Sequence, residues 1–396
     1  MTRPHSLLYL SSLTEGVAMS LIMFLIPLNM RSAFGEKRFI VIASSVAIPA
    51  ISAFLANNFW GGLSDLKRRL KPFLIVGLIG YTICLTLLGL VNDSQSVIIV
   101  VALTPLIYGA LRPTSQSYIT LSRESEKGKA IGDLFSFQSF GWLLASIACW
   151  KLYRIDAASH IRWILFGGAG LAVFAAAAVA FFLDDIVVPR EKTHNSGLVS
   201  SIREDLTVLY NSRKILVVCV VTFLAQIGNF AFFSLYSMYF TEYIRGPQNL
   251  LWFALGGSTI FGMIFYSIAG RLADSIGGRK TLFLSVVLYL LSYTLMGSTT
   301  NPLLLSIYYT LPVYPFINVA NTSLVAELSG TGRRTGGMGI LNGTFSFSVA
   351  AGALLGGIVA DGSGLAYLPV VAISLLLLAT VFTYYTVIGP SWERAK

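Results

Sequence analysis

The chain has 396 residues, 55% of them hydrophobic and only 12% charged, with a formal net charge of +10. A soluble domain carries about 25% charged residues, so this composition argues against a soluble fold and for a chain built for lipid. The basic residues are dispersed over short polar segments rather than gathered in a patch, which argues against nucleic acid as a partner.

Apolar runs of transmembrane length predict twelve spans at roughly 7–30, 39–61, 72–92, 96–118, 131–150, 162–183, 215–241, 250–270, 281–299, 303–325, 337–358 and 366–388. A backbone in lipid must satisfy its own hydrogen bonds, so each span is expected to be a helix. The fold class expected is an all-α integral membrane protein. Span 1 is too long and too polar for a cleaved leader, lacks a small-residue cleavage site and is expected to be retained; Glu15 lies about eight residues into it. Span 2 ends in GGLSDLKRRLK, Gly61–Lys71, which contains Asp65 and Arg69. Span 4 holds Pro105, Arg112 and Pro113, and Asp133 sits at the opening of span 5 beside Gly132, with Gly141 further on. A polar stretch follows span 6 and divides the chain into a first six-helix bundle at 1–183, a linker at 184–214 and a second bundle at 215–396.

In the second bundle, span 7 carries Gln226 and Asn229, and span 8 ends in GRLADSIGGRK, Gly270–Lys280, with Asp274, Arg279 and Lys280. Span 10 holds Pro312, Pro315, Asn318 and Asn321, and span 11 holds GALLGG at Gly352–Gly357. Glu327 and Asp361 read as ordinary charges at helix ends. An even number of spans puts both termini on one side. With the termini inside, 20 Lys and Arg residues fall in inner segments and seven in outer loops, Arg112 alone being inside a span. This bias predicts a multi-pass plasma (inner) membrane protein with both termini cytoplasmic.

Aligning Gly61 with Gly270 puts Asp65 on Asp274 and Lys71 on Lys280, and Gly132 falls on Gly339 at nearly the same offset. Two distant landmarks with almost one offset imply duplication, spans 1–6 repeated as spans 7–12. Charge inside a span is costly and therefore informative. Glu15 and Arg112 lie at similar depth, and a proton-coupling ion pair between them is the expectation, with Asp133 as a further coupling candidate. The amide pairs Gln226/Asn229 and Asn318/Asn321 are each spaced i, i+3 and share a helix face. They can bind a solute or bond across helices. The histidines all lie outside the spans, the three cysteines lack metal-ligand spacing, and no HExxH or Walker loop occurs. No metal, cofactor or enzymatic activity is expected.

Twelve spans in two halves, a long central loop and G-x-L-[SA]-D after spans 2 and 8 resemble the major facilitator superfamily of secondary transporters, over the whole chain. The resemblance implies alternating access around a midplane site lined by spans 1, 4, 7 and 10. It also implies a conformational latch formed by Gly61, Asp65, Arg69, Gly270, Asp274, Arg279 and Lys280. Asp65 would meet the start of span 11, and Asp274 the start of span 5. An acid in span 1 with an arginine late in span 4 resembles multidrug/proton antiporters. The function expected is proton-coupled efflux of small amphipathic solutes by a monomer. The alternative is a proton symporter or uniporter importing a sugar, organic acid or other nutrient.

Overall fold

The computed structural model describes residues 3–123, 127–152, 158–186, 212–311, 313–329, 334–389 and 392. Most of the 184–214 linker lies outside the described residues. Twelve long helices account for nearly all the rest. In the first half they are α1 (Ser6–Ser32), α2 (Phe39–Lys67), α3 (Lys71–Leu90), α4 (Ser94–Ser122), α5 (Lys127–Leu152) and α6 (Ala158–Phe182). In the second they are α7 (Arg213–Phe233), α8 (Gln248–Ile276), α9 (Gly278–Gly297), α10 (Pro302–Leu328), α11 (Arg334–Gly362) and α12 (Leu365–Ile388).

Among the described residues, eleven of these are long and apolar enough to cross a membrane by length and composition. The other is α5. Its 26 residues span about 39 Å at 1.5 Å per residue, ample for a ~30 Å hydrocarbon core. Asp133, Ser136, Gln138 and Ser139 lower its hydropathy, and the last three are buried inside the bundle. A helix enclosed by other helices can carry polar groups that a lipid-facing one cannot. Several hydroxyls elsewhere in the spans are satisfied locally. Thr14 donates to Leu10 O, Thr114 to Ala110 O and Thr222 to Val218 O, each four residues back.

The packing repeats. In the first half α1 lies against α5 and α6, and α3 against α6; in the second α7 lies against α11 and α12, and α9 against α12. The halves meet along two seams, α2 against α11 and α5 against α8. The turns that follow α2 and α8 repeat as well. Both use left-handed backbone, at Arg68 (φ 58°) in the first copy and Gly277 (φ 86°) in the second. An arginine is strained there and a glycine is not.

Proline interrupts equivalent helices. In α4 the helix breaks between Leu103 and Leu111 around Pro105, and in α10 it breaks between Tyr309 and Tyr314 ahead of Pro315. Each missing N–H removes a rung of the helix ladder. Ahead of Pro27, α1 widens into a π-turn at Leu21–Leu25, a common answer to a break in register.

Gly141 of α5 is pressed against the carbonyl of Leu13 in α1, so an added Cβ would overlap backbone that cannot move aside. Gly356 of α11 meets the carbonyl of Ala231 in α7 in the same way. Small residues permit such close approach of membrane helices. Gly141→Ala is expected to cost about 1–3 kcal/mol of stability through overpacking, whereas Gly170→Ala, where nothing lies within 4 Å, changes little. Thermal unfolding followed by a thiol-reactive dye on the buried Cys84, Cys149 and Cys219 reads both.

Candidate functional site

Between the two halves, at mid-helix level, lies a cavity of about 1100 Å³ of empty space, its open mouth included. Arg112 of α4, Gln138 and Trp142 of α5, and Met19 and Phe24 beside or within the π-turn of α1 face it from the first half. From the second half come Gln226, Asn229 and Phe233 of α7, Tyr266 of α8, Tyr293 of α9, Tyr314 and Asn318 of α10, and Phe345 of α11. The wall is mostly apolar and aromatic with a few polar groups, the usual make-up of a small-molecule site. Apart from phenols, Arg112 is the one ionisable side chain among the described lining residues.

Glu15 does not line the cavity. It sits behind Arg112, 3% exposed, with Oε1 at 3.3 Å from Arg112 Nε. Neither of those two atoms has a directed hydrogen bond among the described residues, so the contact is an ion pair held by charge. Arg112 is also placed over the ring of Phe345, 5.4 Å from the centroid. Position on α1 is fixed by the neighbouring glycine: Gly16 is packed on the carbonyl of Gln138.

The amides are only partly available. Asn229 Nδ2 donates to Gln226 Oε1 at 2.9 Å, Tyr293 donates its hydroxyl proton to Asn229 Oδ1, and Asn318 Nδ2 donates to Tyr266 at 2.8 Å. Asn321, on the same face of α10, is 3% exposed and is not among the residues lining the cavity. The wall ends one turn short of it. Asp133 lies apart from the cavity, paired at 3.1 Å with Arg123.

The two halves are tied at both ends. At the end that carries the start of α1 and the finish of α12, Asp274 in the last turn of α8 accepts from the backbone N–H of Gly128 (3.2 Å) and Lys129 (3.1 Å), the first turn of α5. Gly270 and Gly128 touch beside it, where an added Cβ on either would meet the other's backbone. In the symmetry-related seam Gly339 of α11 lies on the Asn57 carbonyl and the Gly61 Cα of α2. The side chain of Asp65 lies outside the described residues.

Arg69 and Arg279 do not reach the opposite half. Arg69 is 3.9 Å from Asp185, and Arg279 donates to Val387 O and stands over Trp392. Arg69 lies two residues before α3 and Arg279 in the first turn of α9, and each meets a segment at or beyond the last helix of its own half. Lys280 is exposed.

At the far end, Asp361 accepts from the N–H groups of Phe39 and Ile40, both at 3.0 Å. It therefore caps α2 across the seam and is more than an ordinary end charge. Arg31 and Glu242 form a two-pronged ion pair there, both contacts 2.9 Å. None of these partners is close in sequence, so no local signal could have revealed them.

The sequence profile of the Major Facilitator Superfamily matches residues 8–310 and 218–395. The chain belongs to the Major Facilitator Superfamily. Its architecture is accordingly the superfamily's all-α fold, and it is a multi-pass membrane transporter acting on small solutes. Among relatives, the multidrug resistance protein MdtG of Salmonella paratyphi A is 24% identical over 302 residues, covering 74% of this chain and 72% of that protein. MdtG of Salmonella paratyphi C matches with the same identity and coverage. The crystal structure of the human organic anion transporter MFSD10 (TETRAN) superposes with a TM-score of 0.75 at 14% identity, over 96% of this chain and 99% of that one.

A helix N-terminus is the positive end of the helix dipole, and a carboxylate that caps it is worth about 0.5–2 kcal/mol. Asp274→Ala should therefore speed hydrogen exchange at Gly128 and Lys129 by roughly 2- to 30-fold, while Asp274→Asn, whose amide oxygen still accepts, should change it less. Exchange mass spectrometry of the peptide that opens α5 measures this.

Proposed function

We propose that the protein is a proton-coupled exporter of amphipathic organic solutes that works by alternating access. The observation that carries the reading is the Glu15–Arg112 ion pair at the wall of a midplane cavity. Arg112 favours the ionised form of a carboxylate beside it. Solute in the cavity, or movement of α4 against α1, that weakens this contact alters the hold of Glu15 on a proton. A site whose proton and solute occupancies oppose each other exchanges one for the other. The description of MdtG as a multidrug resistance protein supports efflux, and the aromatic wall suits amphipathic cargo. Gln226, Asn229 and Asn318 would offer hydrogen bonds to that cargo, and Asn321 would support the α10 wall. Asp133 is a secondary coupling candidate.

In this reading the Asp274 contact, with Gly61 and Gly270 at the seams and the basic Arg69, Arg279 and Lys280 at the headgroups, belongs to the latch that opens and closes the terminal side. The charge bias supports an inner-membrane protein with that side in the cytoplasm. The working unit would be a monomer of two bundles, 1–183 and 215–396, joined through 184–214.

Solute-driven proton movement in proteoliposomes, screened with a mixed library of amphipathic compounds, tests this. The expected result is proton movement opposite to solute in wild type and at least a tenfold loss in Glu15→Gln. Proton movement retained in Glu15→Gln would remove Glu15 from the coupling and turn attention to Asp133. Proton and solute moving together would overturn export in favour of a symporter.

A further inference from the structure

Glu15 and Arg112 both belong to the first half, on α1 and α4. For their charge to bias access, something in the second half must feel it. Phe345 is in that position. Its ring lies 5.4 Å from Arg112 Cζ and faces the cavity. It is carried by α11, which is bound into the second half through α7. Phe345 packs edge-on to Phe230 at 5.7 Å, and Gly352 and Gly356 lie on the α7 carbonyls of Ile227 and Ala231. When the second half moves, the ring moves with it.

We infer that Phe345 is a positioning residue through which the charge state of Glu15 is read by the second half. The inference rests on the reading of Glu15 as the proton carrier. Its physical basis is competition for one cation. With Glu15 ionised, the carboxylate 3.3 Å away cancels much of the field that Arg112 presents to the ring. With Glu15 neutral, the ring faces an uncompensated guanidinium in a poorly screened setting, where cation–π attraction is strongest. The arrangement that holds α11 over Arg112 is then favoured. Among the described residues, the other titratable groups within electrostatic reach of the pair are the phenols of Tyr81 on α3, Tyr108 on α4 and Tyr266 on α8. Phenols are uncharged near neutral pH, so they do not compete for the cation. A cation–π contact shifts an equilibrium by roughly 2- to 30-fold, most for tryptophan.

The test is a double-mutant cycle on the conformational equilibrium of the full chain in lipid nanodiscs. Spin labels go on Gln95→Cys and Thr300→Cys, both exposed at the far ends of the two halves. The cysteines of the wild-type chain are buried. Pulsed electron resonance gives the populations of the near and distant arrangements.

Glu15→Gln is expected to raise the arrangement described here roughly 2- to 30-fold. The same change in a Phe345→Leu background should give less than about a twofold shift, and Phe345→Tyr should restore it. Should Phe345→Leu fail to fold, Phe345→Trp is expected to enlarge the Glu15→Gln shift, and an unchanged or smaller shift would overturn the inference. An equal shift in the wild-type and Phe345→Leu backgrounds overturns it too. If proton movement is nevertheless lost in Glu15→Gln proteoliposomes, only the role of Phe345 falls and the transport reading stands. No shift in any background, with proton movement retained in Glu15→Gln, removes both.

Discussion

A carboxylate enclosed by membrane helices is tolerable only with a cation held beside it, and the centre of this protein is arranged to keep Arg112 next to Glu15. Breaking a buried pair by removing one partner typically costs about 3–5 kcal/mol, because the other charge is left uncompensated. The scaffold around the pair is correspondingly tight. Gly16, adjacent to Glu15, is pressed on the Gln138 carbonyl, and Gly141 receives the Leu13 carbonyl on the other side. Those contacts leave α1 little room to slide along α5. On the other flank, Gly77 of α3 lets Leu111 come close, next to Arg112. The break at Pro105 precedes this contact, so the part of α4 that carries Arg112 is a separate short helix, Leu111–Ser122.

The fold was readable because lipid leaves few alternatives. A chain with apolar runs of transmembrane length, each needing internally satisfied backbone groups, has helices as its solution, and the charged turns mark where they end. The internal repeat was legible from Gly61 and Gly270 and from Gly132 and Gly339. The structure gives the physical cause: these glycines lie at the seams where the halves touch backbone to backbone. Hydropathy is weakest where it meets α5. That helix is shielded by α1 and α8 and spends its polar residues inward, as Ser136 does on the Met263 carbonyl of α8.

The candidate site was legible in its charges and much less in its neighbours. Glu15 and Arg112 stood out because ionisable residues in spans are rare. The i, i+3 amides were recognisable as one face, but spacing does not say how far along α10 the cavity extends, and Asn321 lies beyond it. Phe345 was one of 26 phenylalanines, with nothing local to distinguish it. The cavity faces of α5, α8 and α9 were missed for the same reason. Their lining residues, such as Trp142, Tyr266 and Tyr293, are ordinary membrane residues until the bundle closes around them. Asp361 looked like a charge at a helix end, and only the fold brings it to the first turn of a helix more than 300 residues earlier.

The described ties between the halves pair acids with helix starts and with one guanidinium. Asp274, Asp361 and Glu242, the carboxylates that cross the interface among the described residues, all come from the second half. What they hold comes from the first: the amides that open α5 and α2, and the guanidinium of Arg31. The first half's Asp133 and Asp185 are engaged within it, with Arg123 and with the amides of Leu70 and Lys71. Parting the halves at either end therefore uncovers a carboxylate and the helix start it caps at the same moment, and each must then be met by water.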